Sequence, residues 1–169
     1  MKPVFRISDE EARARRSAIA PQESVWVSAN AGAGKTTLLR DRVIRMLLEG
    51  VAPDRILCLT YTKAAAAEMQ DRIFDELARW VELPEDDLKS VVQGLTGSLA
   101  PAHLRRARSL FAEAVETPGG LKIQTIHAFA ERLLHLFPIE AGVPVDFSVL
   151  EDIEAVELRE EARRTTLVD

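Results

Sequence analysis

The sequence predicts an α/β fold, a parallel sheet flanked by helices. Three features carry that prediction. Short apolar runs at 25–27, 56–59 and 121–125 have the length and composition of strands. Each leads into a longer stretch with apolar residues at helical spacing, Leu38 to Leu48, Met69 to Trp80 and Phe129 to Phe137. Strands joined through helices pair in parallel, because a parallel pair needs a crossover. With 47% hydrophobic and 29% charged residues, the chain can build a core and has no disordered composition.

Taken in order, Ser8 reads as an N-cap, followed by the acidic turn Asp9-Glu10-Glu11. A short helix should run to Ala18-Ile19 and stop before Pro21. Its Arg13, Arg15 and Arg16 read as a solvated face, or as groups facing a nucleotide or nucleic acid. Residues 25–27 are expected as a first strand, buried on both faces, with Trp26 in the core. Next comes Ser28-Ala29-Asn30-Ala31-Gly32-Ala33-Gly34-Lys35-Thr36-Thr37. Small residues let successive backbone N–H groups turn inward and form an anion site. A following helix adds its free N-terminal donors. Lys35 supplies a point charge for β- and γ-phosphates, and the Thr36 hydroxyl can ligate Mg²⁺. Ala29 stands where the usual phosphate-loop pattern has glycine.

The helix from Lys35 should end at Glu49-Gly50, with Pro53 preventing its return. Residues 56–59 form the second strand, expected beside the first. Thr60-Tyr61-Thr62 then stand at its carboxyl end, where open α/β sheets bind ligands. A strong helix follows from Lys63 to Trp80, opening on four alanines. Residues 83–120 are punctuated by Pro84, Gly94, Gly97 and Pro101. They read as an insertion on the sheet with helical pieces near 86–92 and 102–115. Its Arg105, Arg106 and Arg108 are expected on a solvent-facing surface. Pro118-Gly119-Gly120 turns the chain into the third strand, which puts Thr125 and His127 on the ligand edge. A helix to Pro138, an extended link over 144–150 and a charged helix over 151–164 complete the chain.

Bulk properties narrow the function. Net charge is −5 and the sequence pI is about 5.3, so any nucleic acid must bind a local patch. The one cysteine, Cys58, lies in an apolar run and excludes an internal disulfide or a cysteine zinc site. No stretch has the length of a membrane span and the start has no signal-peptide core, so a cytoplasmic setting without membrane is expected.

Residues 28–36 resemble motif I of superfamily 1 DNA helicases of the UvrD/Rep type, where the leading glycine is commonly alanine. Residues 56–69 are similar to motif Ia, and residues 124–134 to the motif built around Thr-x-His. Asp146-Phe147-Ser148-Val149-Leu150 resembles the entry to the family's 1B subdomain. The wording of motifs I and Ia, and the insert before Thr125, look most like the AddA group, helicase–nuclease subunits of bacterial double-strand-break repair.

The resemblance implies a RecA-like phosphate-loop NTPase motor, incomplete over this length. Residues 1–140 would be motor subdomain 1A, with the insertion at about 83–120, and residues 141–169 the start of 1B. ATP and Mg²⁺ would be the cofactors. Ala29, Asn30, Ala31, Gly32, Ala33, Gly34, Lys35, Thr36 and Thr37 would hold the triphosphate. Lys35 and Thr36 would be the catalytic groups, with Thr36 on the metal. Thr60, Tyr61, Thr62, Lys63, Thr125 and His127 would line a single-strand channel. The implied partners are single-stranded or duplex-end DNA and a second repair subunit of the AddB type. The family's adenine-reading glutamine should precede Pro21, where this chain has Arg13-Ala14-Arg15-Arg16. The family's acidic Walker B motif, arginine finger and second motor domain lie beyond the stretch equivalent to Asp169. The expectation is therefore the N-terminal part of a longer DNA-repair helicase, inactive by itself. Two other classes are a small phosphate-loop kinase and a non-catalytic nucleotide-binding module. A kinase would need Arg105, Arg106 and Arg108 as a lid, and would leave Tyr61 and His127 without a role.

Overall fold

A computed structural model describes residues 8–30, 32–98, 100–150 and 152–167. It divides into two compact units, residues 1–125 and 126–169.

In the first unit, α1 (Asp9–Ile19) starts where Ser8 Oγ accepts the Glu11 N–H at 3.2 Å, so the cap expected from sequence is present. α2 (Lys35–Leu48) follows, and a 3₁₀ turn (Pro53–Arg55) leads into β1 (Leu57–Thr60). Then come α3 (Lys63–Glu82), α4 (Glu85–Thr96), α5 (Pro101–Glu116) and β2 (Lys122–Thr125). β1 and β2 pair in parallel, with Leu57 opposite Lys122 and Thr60 opposite Thr125. The protein is thus α/β, mostly helical around a two-stranded parallel sheet among the described residues.

Two expectations fail here. Residues 25–27 are not part of the sheet, and Trp26 is 93% exposed rather than in the core. A strand exists only through its ladder, and no described segment pairs with this one. β1 therefore lies beside β2, not beside residues 25–27. The region 83–120 is also more than an addition to the sheet. Leu88 and Val92 of α4, and Ala107, Leu110 and Ala114 of α5, are buried in one cluster with Ile44 and Leu47 of α2 and Ile73, Leu77 and Trp80 of α3. Helical spacing gives α4 and α5 each an apolar stripe, and those stripes complete the core.

Arg105 and Arg108 of α5 are exposed as expected, but Arg106 is only half-exposed, and Arg106 and Arg108 also bind carbonyls of neighbouring helices. Arg106 Nε donates to Leu47 O at 2.6 Å and Nη2 pairs with Glu113 at 2.7 Å. Arg108 donates to the carbonyls of Trp80 (2.8 Å), Val81 (2.8 Å) and Leu83 (2.7 Å). These carbonyls belong to the end of α3, where an α-helix has no internal donors left. Arg105 is exposed and makes no hydrogen bond among the described residues, as the sequence suggested.

The second unit holds α6 (Ile126–Leu136), α7 (Pro138–Ala141) and α8 (Asp152–Leu167). His135 stacks on Phe147 with ring centroids 4.3 Å apart. Leu136, Phe137, Ile139 and Val145 are exposed, and no described side chain of this unit is buried. No helix among the described residues is long and apolar enough to cross a membrane.

Candidate functional site

The site begins with two glycines. Gly32 and Gly34 adopt φ of +78° and +84°, the left-handed region that glycine enters without steric cost. Gly34 is the N-cap of α2 and brings no side-chain cap, and the first turn carries no acidic residue. The first helical bond runs from Leu38 N–H to Gly34 O at 3.0 Å. The amides of Lys35, Thr36 and Thr37 therefore have no carbonyl within their own helix. Such donors, at the positive end of the helix, suit an anion.

Lys35 reaches back over the loop. Its Nζ donates to Ala29 O at 2.5 Å and to Asn30 O at 2.6 Å. Ala33 N–H donates to Asn30 O at 3.3 Å, closing the turn. The ammonium thus stands over the loop, held by two neutral carbonyls that a phosphate oxygen would outcompete. The glycine conformations and donor set can hold an anionic group, and Thr36, exposed in the first turn, offers a hydroxyl beside it. Ala31 lies outside the described residues.

Thr36 also connects the loop to the sheet. It borders a cleft of about 390 Å³ with Leu39, Arg42, Leu57, Leu59 and Thr60. Thr60 ends β1 and its hydroxyl donates to Thr62 O at 2.9 Å. Thr62 Oγ1 accepts the Ala65 N–H at 3.1 Å and so caps α3. Tyr61, between them, is 86% exposed, and Lys63 is exposed at the first position of α3. Thr125 is buried opposite Thr60. The structure therefore brings Thr36, Thr60, Tyr61, Thr62, Lys63 and Thr125 to one end of the first unit. His127 is on α6 of the second unit and is exposed. Cys58 is half-buried in β1, and burial pushes its thiol pKa up, as expected for a small apolar residue rather than a nucleophile.

Sequence reasoning undervalued α1. Arg15 donates to Glu11 Oε1 through Nε (3.2 Å) and Nη2 (3.0 Å), and Nη2 lies 3.4 Å from Ala33 O. A Cβ built on Gly34 would lie 3.8 Å from Arg15 Nη1. Glu11 and Arg15 line a cleft of about 480 Å³ with Ala33, Gly34 and Lys35. The signal present in the sequence was the i, i+4 spacing of Glu11 and Arg15. Arg42 fixes this helix, donating to Ala18 O (2.7 Å), Ala20 O (2.7 Å) and Glu23 O (2.6 Å).

Comparison with known families decides what this arrangement belongs to. The profile of the UvrD/REP helicase N-terminal domain matches residues 10–168. The chain belongs to that family. It is also similar to several bacterial proteins named as ATP-dependent helicase/nuclease subunits. The relative from Anoxybacillus flavithermus is 34% identical over 142 residues, which is 82% of this chain and 10% of that protein. The relative from Pelotomaculum thermopropionicum is 34% identical over 134 residues, 78% of this chain and 9% of the relative. That from Listeria monocytogenes is 31% identical over 160 residues, 83% of this chain and 11% of the relative. The chain thus spans about a tenth of the length of these curated relatives. The UvrD-family match places the glycine loop, the end of β1 and the start of α6 within one helicase N-terminal domain.

Proposed function

We propose that this chain is the N-terminal, ATP- and single-strand-DNA-binding part of an ATP-dependent DNA helicase of double-strand-break repair. The observation that carries the reading is the loop at Gly32–Thr37. Two left-handed glycines precede a helix start with free amides, and Lys35 folds over it. The family match and the helicase/nuclease relatives support the same reading. On this reading residues 1–140 are part of a RecA-like motor subdomain whose core includes the helices of 83–120, and residues 141–169 begin the next subdomain. The setting is cytoplasmic, and the protein partner is a second repair subunit of the AddB type.

The roles follow from the chemistry. Ala29 to Thr37 wrap the phosphates, and main-chain amides neutralise charge without having to reorganise. Lys35 exchanges the carbonyls of Ala29 and Asn30 for phosphate oxygens. Thr36 offers its hydroxyl to Mg²⁺. Bound there, the magnesium nucleotide supplies the free energy of phosphoanhydride hydrolysis. Thr60 and Thr36 share a cleft, so a movement of the loop is felt at the end of β1. Tyr61, nearly fully exposed, gives a ring on which a base can stack, and the exposed Thr62 and Lys63 provide polar contacts for a DNA backbone.

The test uses the chain itself. Fluorescent single-stranded DNA and a fluorescent ATP analogue are titrated against wild type, Tyr61→Ala and Lys35→Ala. Tyr61→Ala should weaken DNA binding by about tenfold, the scale of one lost base–aromatic stack. Lys35→Ala should weaken only the nucleotide. The chain alone should show no ATP turnover. Turnover by the chain alone, or DNA binding indifferent to Tyr61, would contradict the proposal.

A further inference from the structure

We infer that Arg42 is a positioning residue for the phosphate loop: from within α2 it ties down the chain that enters the loop, so that the loop is already closed when a triphosphate arrives. The inference rests on the phosphate-loop reading above and adds the side chain that keeps the loop in place.

Arg42 lies roughly two turns along α2 from Lys35. Its half-buried guanidinium reaches back to the chain that runs from α1 to the loop. Nη1 donates to Ala18 O and Ala20 O, both at 2.7 Å, and Nη2 donates to Glu23 O at 2.6 Å. The first two carbonyls are at the end of α1, where the helix has no donors left for them. Glu23 lies beyond that helix, on the way to the loop. It is 19 residues from Arg42 in sequence, and the bond between them closes a ring that contains all of residues 28–37.

The other ties on this arm are weaker or are given up. Residues 25–27 have no ladder among the described residues. Gln22 Nε2 donates to Glu49 Oε2 at 2.7 Å, but that bond is exposed and water competes for it. Arg15 Nη2 is 3.4 Å from Ala33 O, beyond the usual range for such a bond. Lys35 holds Ala29 O and Asn30 O, and these are the bonds it exchanges for phosphate oxygens. Once Lys35 turns to the ligand, Arg42 is the tie that remains. A loop that is closed for only part of the time loses apparent affinity by that fraction. Lysine is no substitute, because two nitrogens of one planar fork share these three carbonyls and an ammonium has a single nitrogen.

The test is binding of a fluorescent ATP analogue to the whole chain in Mg²⁺, and its displacement by inorganic tripolyphosphate. Wild type, Arg42→Ala, Arg42→Lys and Arg108→Ala are compared below the unfolding temperature of each. Arg108→Ala is the matched control, since Arg108 also holds three carbonyls, but at the end of α3. Both Arg42 variants should bind the analogue and tripolyphosphate about tenfold more weakly, the effect of a loop closed about a tenth of the time. Arg108→Ala should bind both as wild type does, although it unfolds at a lower temperature. Without ligand, the amide resonances of Gly32 and Gly34 should move in the Arg42 variants and stay in place in Arg108→Ala. Should Arg42→Ala not fold, Arg42→Lys carries the same comparison. Wild-type affinity in Arg42→Lys would overturn the inference, since only the charge near the anion would then matter. So would equal losses in the Arg42 variants and Arg108→Ala, which would reduce Arg42 to a general stabiliser, or glycine amides that do not move. If wild type binds neither compound, the phosphate-loop reading fails and this inference with it. If wild type binds both and the Arg42 variants bind them equally well, only the positioning role fails.

Discussion

Replacing Arg108 by alanine tests whether the helices before β2 are part of the core or an appendage. The guanidinium makes three hydrogen bonds to the carbonyls of Trp80, Val81 and Leu83, at 2.7–2.8 Å. A hydrogen bond from a charged donor contributes roughly 1.5–3 kcal/mol net. The three share one side chain that is itself exposed, so water replaces part of what is lost. About 2 kcal/mol is a reasonable sum, with the lost complement to the α3 dipole included. For a chain of this size that lowers the midpoint of thermal unfolding by about 4–8 °C. Arg105→Ala is the control, one turn away and without a partner among the described residues, and should stay within about 0.5 kcal/mol of wild type. Circular dichroism melts of wild type and both variants give the comparison. If Arg108→Ala and Arg105→Ala unfold at the same temperature, the role of Arg108 as the clamp on α3 is refuted.

Other outcomes follow from single observations. Trp26 is exposed and Trp80 fully buried, and the chain has no other tryptophan, so acrylamide should quench about half of the emission readily. Trp26→Phe should remove the quenchable part, and equal quenching of both residues would put residues 25–27 back into a core. Glu76 accepts from Trp80 Nε1 at 2.8 Å and pairs with Arg79 and Arg40. Burial opposes its ionisation, but bonds from Arg79 and Trp80 and the charges of Arg79 and Arg40 outweigh it and hold its carboxyl below the ordinary value of 4.5. A depressed folded value means the stabilisation is complete above pH 4.5 and is lost as pH falls through the folded value. Glu76→Gln should therefore flatten the acid limb of a pH–stability curve, and an unaltered limb would contradict this. Thr62→Ala removes the cap of α3 and should cost about 1 kcal/mol in urea unfolding.

The parts legible in the sequence were those fixed locally. Ser8 caps its helix as its position before the acidic turn suggested, whereas the cap that Thr62 gives α3 was not read from the sequence. The Gly-Lys-Thr loop was legible because glycine can enter the left-handed conformations that Gly32 and Gly34 adopt ahead of α2. Parallel pairing of residues 57–60 with 122–125 followed from the helices between them. What could not be read depended on partners distant in sequence. Residues 25–27 have strand composition, but composition does not supply a ladder, and Trp26 is exposed in consequence. Arg106 and Arg108 look like any solvated run until α3 is placed beside α5. Glu11 and Arg15 gave a hint at i, i+4, yet only the folded chain sets them against Ala33 and Gly34.

The most direct test of the nucleotide reading is the amide spectrum of isotopically labelled protein titrated with Mg-ATP. The amides of Gly32, Gly34, Lys35, Thr36 and Thr37 should shift together, and Lys35→Ala should suppress the whole set at the same nucleotide concentration. Shifts confined to other regions, or a set that responds unchanged in Lys35→Ala, would show that the loop ahead of α2 does not hold the phosphates.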